Sequence, residues 1–134
     1  MKFLNQLLLL FVVCAGVAVT SCKKKKTEVA WVQDFSIIGS QSSPRAADLN
    51  LDGVLDIVMG AGKNEYQKSE FGVMALDGKT GELLWRQETT DQVFGSATLY
   101  DVNGDQVPDV FIGGRSPHLR ALDGKTGEVI WAYN

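Results

Sequence analysis

The sequence predicts an all-β fold, and three observations predict it. The first is an internal repeat: Ala75 to Trp85 reads ALDGKTGELLW and returns at Ala121 to Trp131 as ALDGKTGEVIW, identical at nine of eleven positions with an offset of 46. The second is another pair upstream of each copy. Asp48 to Val58 reads DLNLDGVLDIV and Asp101 to Phe111 reads DVNGDQVPDVF, offset by 53. The third is what lies between the motifs: short apolar runs of strand length, bounded by Gly, Asp and Asn. The same order therefore occurs twice: acidic loop, apolar run, acidic turn, apolar run ending in tryptophan. Repeats of roughly 40–50 residues built of strands point to blades of a β-propeller, here two, each a four-stranded antiparallel meander. The predicted architecture is an incomplete propeller.

The N-terminus precedes this architecture. Lys2 gives a basic start, and Leu7 to Val19 (LLLLFVVCAGVAV) is an apolar run of 13 residues. A membrane-spanning helix needs roughly 20, so residues 1–21 read as a signal-peptide helix. Val19-Thr20-Ser21-Cys22 resembles the lipobox of bacterial lipoproteins. That resemblance implies cleavage before Cys22 and diacylglycerol on its sulfur, and so a membrane partner through the anchor and a place in the bacterial cell envelope, on the periplasmic or surface face of the outer membrane. The other readings are an ordinary secretory peptide in which Cys22 is incidental and a short anchor that stays uncleaved. Residues 22–27 carry Lys23 to Lys26, either a solvated tether or a contact for anionic headgroups worth up to about 1 kcal/mol per lysine. The full chain has 13 basic and 16 acidic residues, and residues 1–21 hold only Lys2, which leaves a net charge of −4 after cleavage. That balance argues against nucleic acid as a partner. With Cys14 removed and Cys22 lipidated, no cysteine remains for a disulfide, a zinc site or a nucleophile.

Residues 28–134 form the predicted partial propeller, with blade one at about 36–88 and blade two at about 93–134. Expected strands of the first blade are Ser43 to Ala47, Asp56 to Gly60, Gly72 to Leu76 and Glu82 to Gln87. Those of the second are Ser96 to Tyr100, Asp109 to Gly113, Leu119 to Leu122 and Glu128 to Trp131. Asp77-Gly78-Lys79-Thr80-Gly81 is a hairpin signal, because its glycines supply the positive φ of a tight turn. The offsets differ by seven because the first blade carries an insertion around Lys63 to Phe71. A shorter match, EVAWVQD at 28–34 against ELLWRQE at 82–88, puts Trp31 in register with Trp85 and Trp131. Residues 28–34 then read as an N-terminal strand closing a last blade; chance similarity over seven residues is the other reading. The two blades leave apolar faces open, so the remaining blades are expected downstream of Asn134 or from self-association.

The acidic loops are the candidate chemistry. Counting from Asp48, side-chain oxygens fall at positions 1, 3, 5 and 9: Asp48, Asn50, Asp52 and Asp56. The second loop gives Asp101, Asn103, Asp105 and Asp109. The carbonyls of Val54 and Val107 stand at position 7 as candidate main-chain ligands. Hard oxygen donors without His or Cys suit calcium; turns rich in Asp and Asn for conformational reasons are the bland alternative. Gly53 at position 6 permits a sharp turn. The second loop has Gln106 there and Gly104 two residues earlier, which leaves its geometry open. Position 12 is Met59 or Ile112, which departs from an EF-hand. The spacing resembles the FG-GAP (VCBS-type) repeat, and that resemblance implies calcium between two strands. The ALDGKTGE-x-x-W motif resembles the PQQ-type propeller repeat, which implies a tryptophan docked between blades over the turn residues.

No catalytic grouping stands out, and the chain is expected not to be an enzyme. His118 lies in Arg115-Ser116-Pro117-His118, a connection between strands, and nothing in the sequence picks out Arg115 or Arg120 as ligand-facing. Three function classes follow. One is a calcium-binding propeller lipoprotein acting in binding or adhesion, or as a scaffold, for a protein or carbohydrate ligand. Another is a piece of a PQQ-dependent quinoprotein dehydrogenase, which needs about eight blades and further acidic and amide residues around its cofactor. The third is an outer-membrane assembly scaffold resembling the propeller of the barrel-assembly machinery, whose relatives usually lack calcium loops.

Overall fold

The computed structural model describes residues 28–115 and 119–134. The expectations placed on residues 1–27, including the signal-peptide helix, Cys22 and the lysine tether, lie outside the described residues, as does His118. Eight strands follow one another: β1 (Arg45–Ala47), β2 (Asp56–Gly60), β3 (Ser69–Leu76), β4 (Leu83–Thr89), β5 (Thr98–Tyr100), β6 (Asp109–Ile112), β7 (Leu119–Leu122) and β8 (Val129–Tyr133). They form two four-stranded sheets in the orders β1-β2-β3-β4 and β5-β6-β7-β8, each pairing antiparallel to the next. The fold is all-β, with no helix among the described residues, and the sheets are propeller blades not closed into a ring.

Repetition extends to the irregularities. The outer hairpin slips register between Ala75 and Leu76 in the first blade and between Ala121 and Leu122 in the second. β3 starts at Ser69, three residues before the glycine expected to open it, so the end of the insertion is strand. The reason is the longer partner: β4 runs to Thr89, which pairs Ser69. Gly72 sits where a side chain would collide with Thr89 of that partner.

Side chains alternate across each strand, and both faces of the first sheet are covered. Val58, Val73, Ala75 and Trp85 pack with Val107, Val110, Ile112 and Leu122 in the core between the blades. The opposite face offers Met74 and Leu76 with Ile57 and Met59, and over it lie Trp31, Phe35 and Ile38 of the N-terminal segment. β1 and β5 come together at the other edge. Ser42 Oγ donates to the Gly95 carbonyl at 2.8 Å and Arg45 Nε to the Ala97 carbonyl at 3.1 Å. First strands meeting while fourth strands lie outermost is how blades stand around a common axis.

Leu122 has no exposed surface in the inter-blade core. Leu122→Ala should cost about 2–5 kcal/mol, since the surrounding sheets cannot close the cavity. Urea melts followed by far-UV circular dichroism should show one transition moved to lower denaturant.

Candidate functional site: the acidic loop, the glycine turn and the docked indole

The two motifs of each repeat meet in space. In the first blade Asp56, fully buried, accepts the Leu49 N–H at 2.8 Å through Oδ2 and the Gly78 N–H at 2.9 Å through Oδ1. In the second, Asp109, also fully buried, accepts from Val102 at 2.9 Å and Gly124 at 3.1 Å. One carboxylate thus ties the loop before β2 or β6 to the turn after β3 or β7. A second tie runs beside it: Asn50 Nδ2 donates to Asp77 at 3.0 Å, and Asn103 Nδ2 to Asp123 at 3.1 Å. Buried carboxylates need such partners, because an unpaired charge away from water is costly.

The turn itself is capped by its first residue. Asp77 Oδ1 accepts the N–H groups of Lys79 and Thr80 at 2.9 and 2.7 Å and the Thr80 hydroxyl at 3.1 Å. Asp123 does the same for Lys125 and Thr126. The Thr80 N–H, followed by the Thr80 hydroxyl, the Lys79 N–H and the Lys79 charge, holds the Asp77 carboxyl below its ordinary value against some desolvation. Because the folded value is depressed, this contribution to stability is present above the ordinary carboxylate value and is lost as pH falls from there through the lowered folded value.

On that turn sits a tryptophan from the preceding unit. Trp85 Nε1 donates to the Gly124 carbonyl at 2.7 Å, and its ring lies over Gly127, where an added Cβ would be 2.6 Å from the indole. Gly124 has no room for a Cβ either, because the Pro108 carbonyl of the acidic loop presses against it. The contact is repeated one unit earlier. Trp31 Nε1 donates to the Gly78 carbonyl at 2.9 Å, and its ring lies over Gly81, where a Cβ would be 2.5 Å away. Residues 28–34 form no strand, since a strand needs a neighbour to pair with and none lies beside this segment among the described residues. Trp31 nevertheless takes the place that Trp85 takes one blade later.

The acidic loops share one backbone. Positions 4 and 6 are left-handed in both: Leu51 (φ 62°) and Gly53 (φ 84°) in the first, Gly104 (φ 82°) and Gln106 (φ 75°) in the second. Each loop has glycine at one of the two places and a strained residue at the other. Gln106 at position 6 thus takes the left-handed conformation that Gly53 takes in the first loop. The side chains at positions 1, 3 and 5 accept loop N–H groups. Asp48 takes those of Asp52 and Gly53, Asn50 that of Asp52, and Asp52 that of Val54; in the second loop Asp101 takes those of Gly104 and Gln106, Asn103 that of Asp105, and Asp105 that of Val107. Val54 is exposed with the loop rim, whereas Val107 is buried. Among the described residues, no three acidic side chains gather as an ion-holding group. In this arrangement positions 1, 3 and 5 are on the rim, while position 9 has both oxygens engaged by backbone. A bound calcium would draw on the rim oxygens and the position-7 carbonyl.

The two arginines that the sequence could not rank have structural partners. Arg120 donates to the Glu88 carbonyl at 2.7 Å, tying β7 to the outer edge of the first blade. Arg115 reaches Glu65 at 3.2 Å and Asp91 at 3.4 Å, and stacks over Tyr66 at 4.5 Å. Asp91 also accepts the Tyr66 N–H at 2.7 Å, which with the Gln92 N–H and Arg115 lowers its pKa. Sequence reasoning missed this clasp because its members come from an insertion, a linker and a loop, none of them in a repeated motif.

The profile of the family described as outer membrane protein assembly factor BamB, a PQQ-like repeat family, matches residues 19–134. No curated protein matches the chain.

Ala at Gly127 and Ala at Gly104 separate docking from turn strain. Both positions are left-handed, so each substitution costs about 1–2 kcal/mol of conformational energy. Only Gly127→Ala also displaces an indole, since nothing lies within 4 Å of a Cβ at Gly104. Thermal melts should therefore show Gly127→Ala the more destabilised, with red-shifted Trp85 emission, and Gly104→Ala with emission unchanged.

Proposed function

The chain belongs to this repeat family, and from that premise we propose that it is a non-catalytic binding scaffold at the bacterial cell envelope, anchored through lipid on Cys22. The partner class we propose is proteins of the outer membrane undergoing assembly, and its support is the family description, outer membrane protein assembly factor. One observation carries the reading. The residues that make the repeat motif recognisable serve architecture: Asp56 and Asp109 hold backbone N–H groups, Gly81 and Gly127 lie under an indole, and Trp31 and Trp85 sit on the following turn. A repeat used in this way builds a rigid surface and leaves recognition to the loops between strands. Nothing in the geometry favours the quinoprotein dehydrogenase or the adhesion reading over this one.

Calcium enters the proposal as a stabiliser of the loop rim. Its support is the Asp-x-Asn-x-Asp spacing and the common backbone of the two loops. Hydrogen bonds from loop N–H groups already hold the rim side chains in place, which reduces what an ion would have to organise.

The experiment is complementation. Cells lacking the chain should show less folded outer-membrane β-barrel protein on semi-native gels. The unaltered chain should restore it, whereas Cys22→Ser and Trp85→Ala should not. In parallel, the melting midpoint of the unaltered chain should be higher in calcium than in chelator, and that difference should vanish in Asp52→Ala with Asp105→Ala. Unchanged barrel levels would remove the scaffold reading, and equal midpoints would leave the loops as hydrogen-bonded turns.

A further inference from the structure

The N-terminal segment has a direction. At its start Trp31 lies on the Gly78–Gly81 turn, which joins β3 to β4. At its finish Gly39 pairs with Gly62 through N–H···O bonds of 2.8 and 3.1 Å, and Ser40 Oγ donates to the Gly60 carbonyl at 2.7 Å. Gly60 ends β2 and Gly62 leads into the insertion before β3, so both stand at the end of the blade opposite the turn. Between these points Phe35 stacks with Phe71, near the start of β3, at 5.6 Å. The segment thus runs along the sheet from the turn end to the insertion end, as β4 does. Glu28, Val29 and Ala30, all exposed, precede Trp31, so the chain leaves the blade at the turn end. A strand pairing with this segment would leave its direction unchanged.

The two ends of the blades carry different chemistry. Asp56 and Asp109 place the acidic loops at the turn end. At the opposite end stand the insertion, with Tyr66 77% exposed and left-handed at φ 61°, and the clasp of Arg115 with Glu65 and Asp91.

Covalent length connects these ends to a membrane. Trp31 stands nine residues after Cys22, so a lipid on that sulfur lies within about 30 Å of the docked indole. With Lys23–Lys26 on headgroups, only five residues remain between Lys26 and Trp31, a reach of about 17 Å. That is shorter than the blade, because the seven residues of β4 span about 23 Å. Without the docked indole the first held residue is Phe35, thirteen residues after Cys22 and near the insertion end. The reach then grows to about 45 Å, enough for either end to approach the lipid.

We infer that the docked Trp31 orients the propeller on the membrane. The end with the acidic loops and glycine turns faces an anionic lipid surface, and the insertion end points away from it. This rests on the reading of Cys22 as the lipid anchor. Rim carboxylates Asp48, Asp52, Asp101 and Asp105 repel such a surface by themselves, and the tether supplies four lysines against these four acids.

The test is energy transfer from a dye on the full-length lipoprotein to acceptor lipid in vesicles of phosphatidylethanolamine and phosphatidylglycerol. The dye is carried by p-acetylphenylalanine in place of Lys79, in the turn, or of Asn64, in the insertion, both exposed. The two sites differ in height by the length of β4, so transfer from the Lys79 site should exceed that from the Asn64 site at least about twofold. Trp31→Ala should bring the two values together. Trp31→Phe, which keeps a ring but loses the bond to the Gly78 carbonyl, should fall between, and gives the answer if Trp31→Ala does not fold. Flotation with the vesicles reports the anchor separately. A chain that does not float removes the lipid-anchor reading, and its free Cys22 thiol, coupled to a maleimide lipid, still reads the direction. Equal transfer from the two sites in the floating or coupled chain, or a difference unchanged by both Trp31 variants, would overturn the inference.

Discussion

A carboxylate with no access to solvent holds the structure together. Asp56 and Asp109 each bridge the loop before the second strand of a blade and the turn after its third. Removing that bridge leaves a buried charge unpaired or two backbone donors unsatisfied, and either is expensive in a low-dielectric setting. The bridge also decides the shape of the turn. It draws Gly78 and Gly124 so close to the acidic loop that no side chain fits between them, which turns their carbonyls toward the indole of the preceding unit. The order of dependence runs from aspartate to turn, from turn to indole, and from indole to the contact between blades.

This dependence explains why the two repeated motifs occur together. A tryptophan needs a flat, glycine-lined seat with an acceptor carbonyl at its edge, and the turn provides one only while the loop behind it is fixed. A blade thus carries a seat at one side and an indole at the other. Outside this scheme stand the arginine clasp of Arg115 with Glu65, Asp91 and Tyr66, and the insertion that supplies it. They are particular to one blade and not part of the repeat, and are therefore better placed to distinguish this protein from others with the same architecture.

Much of the fold was legible because the repeat could be read twice. β2 begins and ends where the apolar run Asp56 to Gly60 does, and β7 matches Leu119 to Leu122. The docking of tryptophan over the turn followed from the PQQ-type resemblance. What could not be read concerns contacts between distant segments. The start of β3 at Ser69 depends on how far its partner β4 extends, which no local pattern encodes. Position 9 of the acidic loop was read with the calcium set from spacing alone, and its bond to Gly78 or Gly124 becomes visible only when the turn is brought beside it. Leu51 and Gln106 were illegible as left-handed residues because neither type favours that region. Their conformation is imposed by the side chains at positions 1, 3 and 5.

The central claim is that aspartate and indole are coupled through the turn although they do not touch. A double-mutant cycle on Asp109→Asn and Trp85→Phe measures it most directly, with stability read from urea melts. Trp85→Phe removes the bond to the Gly124 carbonyl, and Asp109→Asn weakens the hold on the Gly124 N–H. The account predicts that the double variant is less destabilised than the sum of the singles, with a coupling of about 1 kcal/mol, within the range found for residues sharing one network. Additive losses would contradict it, and would mean that the indole finds its seat whether or not the carboxylate holds the turn.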